Sequence, residues 1–250
     1  MGHDLRWRLL RALSRSDQRV NELVDQVREP QNLVSYHLGL LRRSSLVSER
    51  RSSADGRDIY YHLNLDRLGP QLVAAAGALH PALGGAAPRS AAERREALRG
   101  RVLFVCTGNS ARSLIAEAML RARANGALET FSAGPKPAGV HPLALEVLSE
   151  MGIATTGLRS KGLDGVAGLK FDRVVTLCDI AREECPPVPG GPEYIHWSLP
   201  DPAAVGGPVD KRRAAFRSTA NEIADRVDRL LQLMATEQLT RKSQVGGNSK

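Results

Sequence analysis

Aromatic residues are scarce in this chain, and cysteine is scarcer. Phe, Trp and Tyr make up 4% of the 250 residues, so any core must be filled by Leu, Val and Ala rather than by stacked rings. There are three cysteines, none before Cys106. That number excludes the disulfide framework of a small secreted domain. No apolar run is long enough to span a bilayer; the best candidate, residues 71–87, is interrupted by His80, Pro81 and Gly84-Gly85. Charge begins at Asp4 and Arg6, which leaves no signal-peptide core. Position six is Arg6, where a myristoylation signal places Ser or Thr. Acidic residues are also in deficit: 27 against 35 basic ones, a formal charge of +8. The expectation is a cytoplasmic chain of one or two domains, with no membrane partner. Its thiols should be reduced at rest, any disulfide transient, and its partner an oxyanion or polyanion.

Residues 101–117 concentrate the chemistry. A short run rich in β-branched residues, 102–106, reads as a buried parallel strand, and residues 112–124 read as a helix. Between them lies Cys106-Thr107-Gly108-Asn109-Ser110-Ala111-Arg112-Ser113. A loop joining a strand to a helix N-terminus aims several backbone N–H groups at one point, with the positive end of the helix dipole behind them. Thr107, Gly108, Asn109, Ser110, Ala111, Arg112 and Ser113 are therefore the expected substrate-binding set. Cys106 at the base is the expected nucleophile. Arg112 can fork two donors onto a tetrahedral oxyanion.

The elements that follow alternate. Strands are expected at 130–132, 172–177 and 194–197, with helices at 142–151 and 209–236. That order implies a parallel sheet covered on both faces, with ligands at the carboxyl ends of its strands. The Cys-x5-Arg-Ser loop in this setting resembles the phosphate-binding loop of the low-molecular-weight tyrosine phosphatase fold. Phosphatases and one class of arsenate reductases share that fold. The resemblance implies that Asp201, in Trp197-Ser198-Leu199-Pro200-Asp201-Pro202, is the general acid.

The pair Cys178 and Cys185 resembles the redox pair of thioredoxin-coupled arsenate reductases. Phosphoryl transfer moves no electrons, whereas arsenate reduction moves two, which thiols must supply. The resemblance implies Cys106, Arg112, Cys178, Cys185 and Asp201 as catalytic residues, arsenate as substrate and thioredoxin as reductant, with no tightly bound cofactor and no metal. Residues 178–190 are expected to be a mobile loop. Some relatives hold potassium near the equivalents of Asn109, Glu117 and Ser132 with an Asp; here Lys161 stands in that place and is expected to replace the ion. A tyrosine phosphatase remains the alternative, although Ala111 stands where many carry a second loop cysteine and Ala203 where many carry Tyr. A regulator using a reductase-like domain as a sensor is another.

The first part of the chain has a different rhythm. Leucines at 5, 9, 10 and 13 predict a first helix, residues 19–27 a second and 31–43 a third, the last two in helix-turn-helix order. Residues 46–51 and 58–63 read as strands, with Asp55-Gly56 as the hairpin turn. The stretch 4–67 resembles the ArsR-type winged helix-turn-helix, on Val34-Ser35-Tyr36-His37-Leu38, Leu41, Leu46 and Val47. That implies DNA binding through Gln31, Asn32, Ser35 and Tyr36 in the major groove, with Arg50, Arg51 and Arg57 on the wing. Arg19 and Asn21 stand where arsenic-responsive relatives carry a cysteine pair. His37 is expected to be structural. A helix at 65–83 is expected to make a homodimer, as in the ArsR type.

The expected fold is thus two domains, a mainly α winged helix-turn-helix with a β-hairpin wing (1–83) and an α/β domain with a four-stranded parallel sheet (100–237). A linker (84–99), with a short charged helix at 91–99, and a disordered tail (238–250) complete the reading. The expected function is arsenic detoxification that joins arsenate reduction to transcriptional regulation.

Overall fold

The computed structural model describes residues 4–79 and 98–246, with side chains as far as 239. They divide into two compact units, Met1–Pro88 with Ile195–Ser198 and Arg89–Tyr194 with Leu199–Lys250. Most of the expected linker and of the helix at 91–99 lies outside the described residues.

In the first unit, helices α1 (Asp4–Leu13), α2 (Val20–Val27) and α3 (Gln31–Arg43) pack around Leu5, Leu9, Leu23, Val34, Leu38 and Leu41. The turn between α2 and α3 follows from three residues. Arg28 takes the left-handed conformation (φ 54°) and donates its N–H to the Val24 carbonyl, ending α2. Pro30 then caps α3, and its carbonyl accepts from Leu33 and Val34 at 3.0 Å. Strands β2 (Val47–Arg51) and β3 (Ile59–Leu63) form the antiparallel hairpin, in register from Val47↔Leu63 to Arg51↔Ile59. A two-residue strand, β1 (Gln18–Arg19), pairs with Tyr60 and Tyr61 on the other side of β3. It is too short to leave a periodic pattern, so sequence reading misses it. Helix α4 (Leu65–Leu79) buries Leu68 alone among its described residues, and exposes Leu72, Val73 and Leu79. The rest of the expected 65–83 helix lies outside the described residues.

The second unit is built on a four-stranded sheet. Strand β4 (Arg101–Val105) lies between β5 (Glu129–Ala133) and β6 (Arg173–Thr176), parallel to both; β7 (Glu193–His196) follows β6. Helix α5 (Arg112–Ala124) follows β4, α6 (Pro142–Glu150) follows β5, and α7 (Asp179–Glu184) follows β6. Helix α8 (Val209–Gly246) closes the unit, burying Phe216, Ala220, Ile223, Val227, Leu230 and Met234 along one stripe.

Two expectations are corrected. The tail expected to be disordered from 238 is helical as far as Gly246. No Gly or Pro interrupts 209–245. Near the end, Gln238 accepts from Arg99 N at 2.9 Å and donates to Arg99 O at 2.6 Å, while Glu237 pairs with buried Arg173. Residues 178–190, expected to be a loop, begin with α7. Cys178 supplies its N-cap, its sulfur accepting from Ala181 N at 3.4 Å, and Asp179 places an acid in the first turn.

Candidate functional site

The loop after β4 is held from outside. Lys136 N donates to Thr107 O at 3.0 Å, Ala138 N to Gly108 O at 2.9 Å and His141 N to Ser110 O at 2.9 Å. A peptide whose carbonyl is turned outward turns its N–H the other way, so these three bonds orient loop amides toward the cup. The cap of α5 is Ala111, which makes no side-chain capping bond. The first-turn amides of α5 are therefore left for an anion.

Inside, Asn109 knits the loop together. Its backbone is left-handed (φ 41°), and it is fully buried. Lys161 N donates to Asn109 Oδ1 at 2.7 Å, which fixes which end of the amide is oxygen. Asn109 Nδ2 then donates to Ser113 Oγ at 2.9 Å and to Ser132 Oγ at 2.8 Å. Each hydroxyl is already an acceptor, so its own hydrogen goes elsewhere. Ser132 donates to Glu117 Oε2 at 2.5 Å. Ser113 donates to Cys106 Sγ at 2.9 Å. Buried Glu117 also meets Lys161 Nζ at 3.1 Å and pairs with Arg121.

Arg112 leaves the first turn of α5 and is 7% exposed. Its guanidinium donates to Leu199 O at 3.1 Å and pairs with Asp201 Oδ2 at 3.1 Å. The other Asp201 oxygen accepts from Ala203 N at 3.0 Å, and the side chain is half-exposed. The expected acid thus stands beside the expected oxyanion clamp.

The three cysteines gather at the carboxyl ends of β4 and β6. Val105 and Thr176 are register partners, and Leu177 N donates to Val105 O at 2.8 Å, so residues 106 and 178 emerge side by side. Thr107 Oγ1 lies 3.3 Å from Cys178 Sγ. All three thiols are free. Burial pushes the Cys178 thiol above its ordinary value, against the opposing pull of Arg112, Thr107 and the Ala181 N–H. Cys185 is pushed up to about 11, by burial first and then by the charges of Cys178, Glu184 and Cys106. It lines a cavity of about 260 Å³ with Val174, Ala181, Pro186, Pro187 and Tyr194.

In the first unit, Gln31, Asn32, Ser35 and Tyr36 lie exposed on α3, opposite buried Val34, His37, Leu38 and Leu41. His37 packs edge-on against Tyr36 at 5.2 Å. The wing is less uniformly basic than its sequence. Arg57 forks onto Asp55 at 3.0 and 2.7 Å, which holds that carboxyl down at about 2. Arg51 donates to Gly56 O at 2.9 Å. Arg50 is half-buried, its guanidinium hydrogen-bonded within the same unit.

Residues 101–245 match the low molecular weight phosphotyrosine protein phosphatase family. The chain belongs to that family. Residues 3–49 match the bacterial regulatory proteins of the arsR family, so a phosphatase-family domain is joined here to an arsR-type segment. An arsenate reductase from Halalkalibacterium halodurans is 36% identical over 126 residues, covering 50% of this chain and 91% of that protein. One from Bacillus subtilis is 33% identical with the same coverage. A solved arsenate reductase from Archaeoglobus fulgidus is 31% identical, covers 52% of this chain and 98% of that one, and superposes with a TM-score of 0.44.

Some parts of the phosphatase-family site escape sequence reading. The strap at 136, 138 and 141 acts through backbone atoms, which no side-chain pattern reveals. Gly134 is another: a Cβ there would collide with Cys106 O and come within 2.7 Å of Thr107 O and 2.8 Å of Asn109 N. The available signal was a glycine immediately after a strand. Gly134→Ala must push the loop away from β5. We expect it to weaken inorganic phosphate binding by about a hundredfold while leaving far-ultraviolet circular dichroism unchanged, as measured by titration calorimetry.

Proposed function

We propose that the chain reduces arsenate to arsenite by a cysteine relay and combines this with DNA-binding transcriptional regulation in arsenic detoxification. The observation that carries the reading is the gathering of Cys106, Cys178 and Cys185 at one anion cup. Phosphoester hydrolysis gives the second and third thiols nothing to do. The arsenate reductases among the relatives support the same reading.

The proposed relay runs in four steps. Arsenate enters the cup and is held by loop N–H groups and by Arg112. Cys106 Sγ attacks arsenic; the As–O bond breaks, and Asp201 gives its proton to the leaving hydroxide, which departs as water. Cys178 Sγ then attacks Cys106 Sγ. The S–As bond breaks, its electron pair stays on arsenic, and arsenite leaves in the +3 state. Cys185 attacks Cys178 to give a Cys178–Cys185 disulfide and free Cys106. A thioredoxin dithiol returns the two electrons. Thr107 and Arg112 aid the second step, since both favour charge on the Cys178 sulfur.

The remaining roles concern partners. Gln31, Asn32, Ser35 and Tyr36 read base edges from α3, with Arg50, Arg51 and Arg57 on the phosphates. The exposed leucines and valine of α4 join two copies into a homodimer. Near Asn109 and Ser132, the Lys161 ammonium beside Glu117 does the work of a monovalent cation. The domain limits 1–83 and 100–237, with a linker at 84–99, belong to the same reading.

The deciding experiment is thiol mapping after one turnover with arsenate. We expect a Cys178–Cys185 disulfide in the wild type and a Cys106–Cys178 disulfide in Cys185→Ser. Cys178→Ser should abolish arsenite release yet spare hydrolysis of an aryl phosphate. Turnover of arsenate by that variant would overturn the relay, and no disulfide in the wild type would leave a phosphatase. Because burial raises the Cys178 thiol, its attacking thiolate grows with pH. Single-turnover disulfide formation, followed by stopped flow, should therefore quicken about tenfold per pH unit from pH 6 to 8. Potassium should leave kcat/KM for arsenate unchanged; a marked stimulation would contradict the role given to Lys161.

A further inference from the structure

His141 occupies a position that the relay leaves unused. It is the N-cap of α6, a place usually taken by Ser, Thr, Asp or Asn. Its Nδ1 accepts from Leu143 N at 3.2 Å. A backbone N–H can only donate, so Nδ1 carries no hydrogen and the ring is the neutral Nε2–H form. The ring stacks on buried Phe216 of α8, centroids 4.5 Å apart and planes 29° apart. Its backbone N–H is the donor that turns Ser110 O out of the cup, at 2.9 Å. One residue thus touches the loop, α6 and α8.

We propose that His141 is a positioning residue for oxyanion binding, an acid-sensitive clamp whose neutral imidazole fixes the Ser110 side of the loop. Protonation would place a hydrogen on Nδ1 facing the Leu143 N–H. The cap would be lost, the ring would leave its stack, and the amide tether to Ser110 would slacken. It would also set a cation at a helix N-terminus, where the dipole disfavours it.

The charged groups that act on the ring pull in two directions. Arg212, on α8, opposes protonation; Asp201, beyond β7, favours it; burial opposes it more than either acts. The result lies below the ordinary histidine value. The sign follows. A base whose folded value is depressed contributes its stabilisation above the unfolded value, near 6.5, and loses it as pH falls toward the folded one. The clamp therefore holds at neutral pH and opens in acid.

This rests only on the oxyanion-binding part of the proposed function, so the probe is inorganic phosphate, which needs no thiol chemistry. Dissociation constants for the full chain, His141→Asn and His141→Ala are measured by calorimetry from pH 5 to 8. Ratios between variants cancel the ionisation of phosphate itself. Asn keeps a capping acceptor but cannot titrate. At pH 8 the Asn variant should match the wild type within about twofold, while Ala binds about tenfold more weakly, as expected for loss of a cap. Toward pH 5 the wild type should lose affinity relative to Asn by about tenfold. A ratio of wild type to Asn that stays flat, or wild-type binding that tightens in acid relative to Asn, overturns the proposal. Failure of all three proteins to bind phosphate at any pH would instead remove the oxyanion-binding reading.

Discussion

The amide of Asn109 ties the loop after β4 to α5, to β5 and to Lys161. Its left-handed backbone is a conformation that most side chains resist, by roughly 1–2 kcal/mol, and that Asn adopts more readily. Three hydrogen bonds offset the remaining strain, buried ones to Ser113 and Ser132 and a part-buried one from Lys161 N. Each bond also decides the direction of the next. Because the Asn109 nitrogen donates to both serine oxygens, each hydroxyl hydrogen is left to point away from it, that of Ser132 to Glu117 and that of Ser113 to Cys106. The nucleophile is thus linked to a buried carboxylate without any group left with two hydrogens facing each other. Lys161 meets the same carboxylate oxygen as Ser132, and Arg121 meets the other, so the buried charge of Glu117 is paired.

Sheet topology explains why one pocket can serve two kinds of chemistry. In the order β5-β4-β6-β7, the chain leaves β4 toward one side and later returns on the other. The loops after β4 and β6 therefore diverge from adjacent strand ends, the place where open α/β sheets bind ligands. The first loop supplies the anion cup. The second supplies Cys178, next to Thr107. Phosphate-type binding needs only the first loop, and thiol exchange needs both. That is why a family defined by the first loop accommodates two further cysteines after β6 without change in the scaffold.

Most of this was legible in the sequence where the signal is local. The Cys-x5-Arg-Ser loop after a strand and before a helix, and the leucine spacing of α1 to α3, both point to the elements observed. The meeting of Lys161 with Glu117 was reached through the family resemblance rather than through any local pattern. The losses are of three physical kinds. Backbone straps leave no side-chain trace, as at Lys136, Ala138 and His141. Close approaches such as Gly134 against the loop depend on which strands become neighbours. Elements at the lower limit of length, β1 and α7, have too few repeats for a period to show. On the wing, residue types do not show which partners the arginines take: Arg57 pairs with Asp55, and Arg51 donates to Gly56 O.

Helix α7 poses a geometric difficulty for the proposed relay, and its own construction supplies the answer. Cys185 lies seven positions after Cys178, about 10 Å of helical rise, whereas a disulfide tolerates Cα atoms no more than about 7 Å apart. The helix must open before the last exchange. At six residues it is below the length at which a helix holds itself, and among its residues only Asp179 and Ala181 are buried. Its N-cap is the Cys178 sulfur, accepting from Ala181 N. Once that sulfur is drawn into a bond with Cys106, it can no longer cap the helix. The step that uses Cys178 thus withdraws the contact holding α7 wound, and releases Cys185 when it is needed. The prolines at 186 and 187 keep the unwound turn from being absorbed into a longer helix.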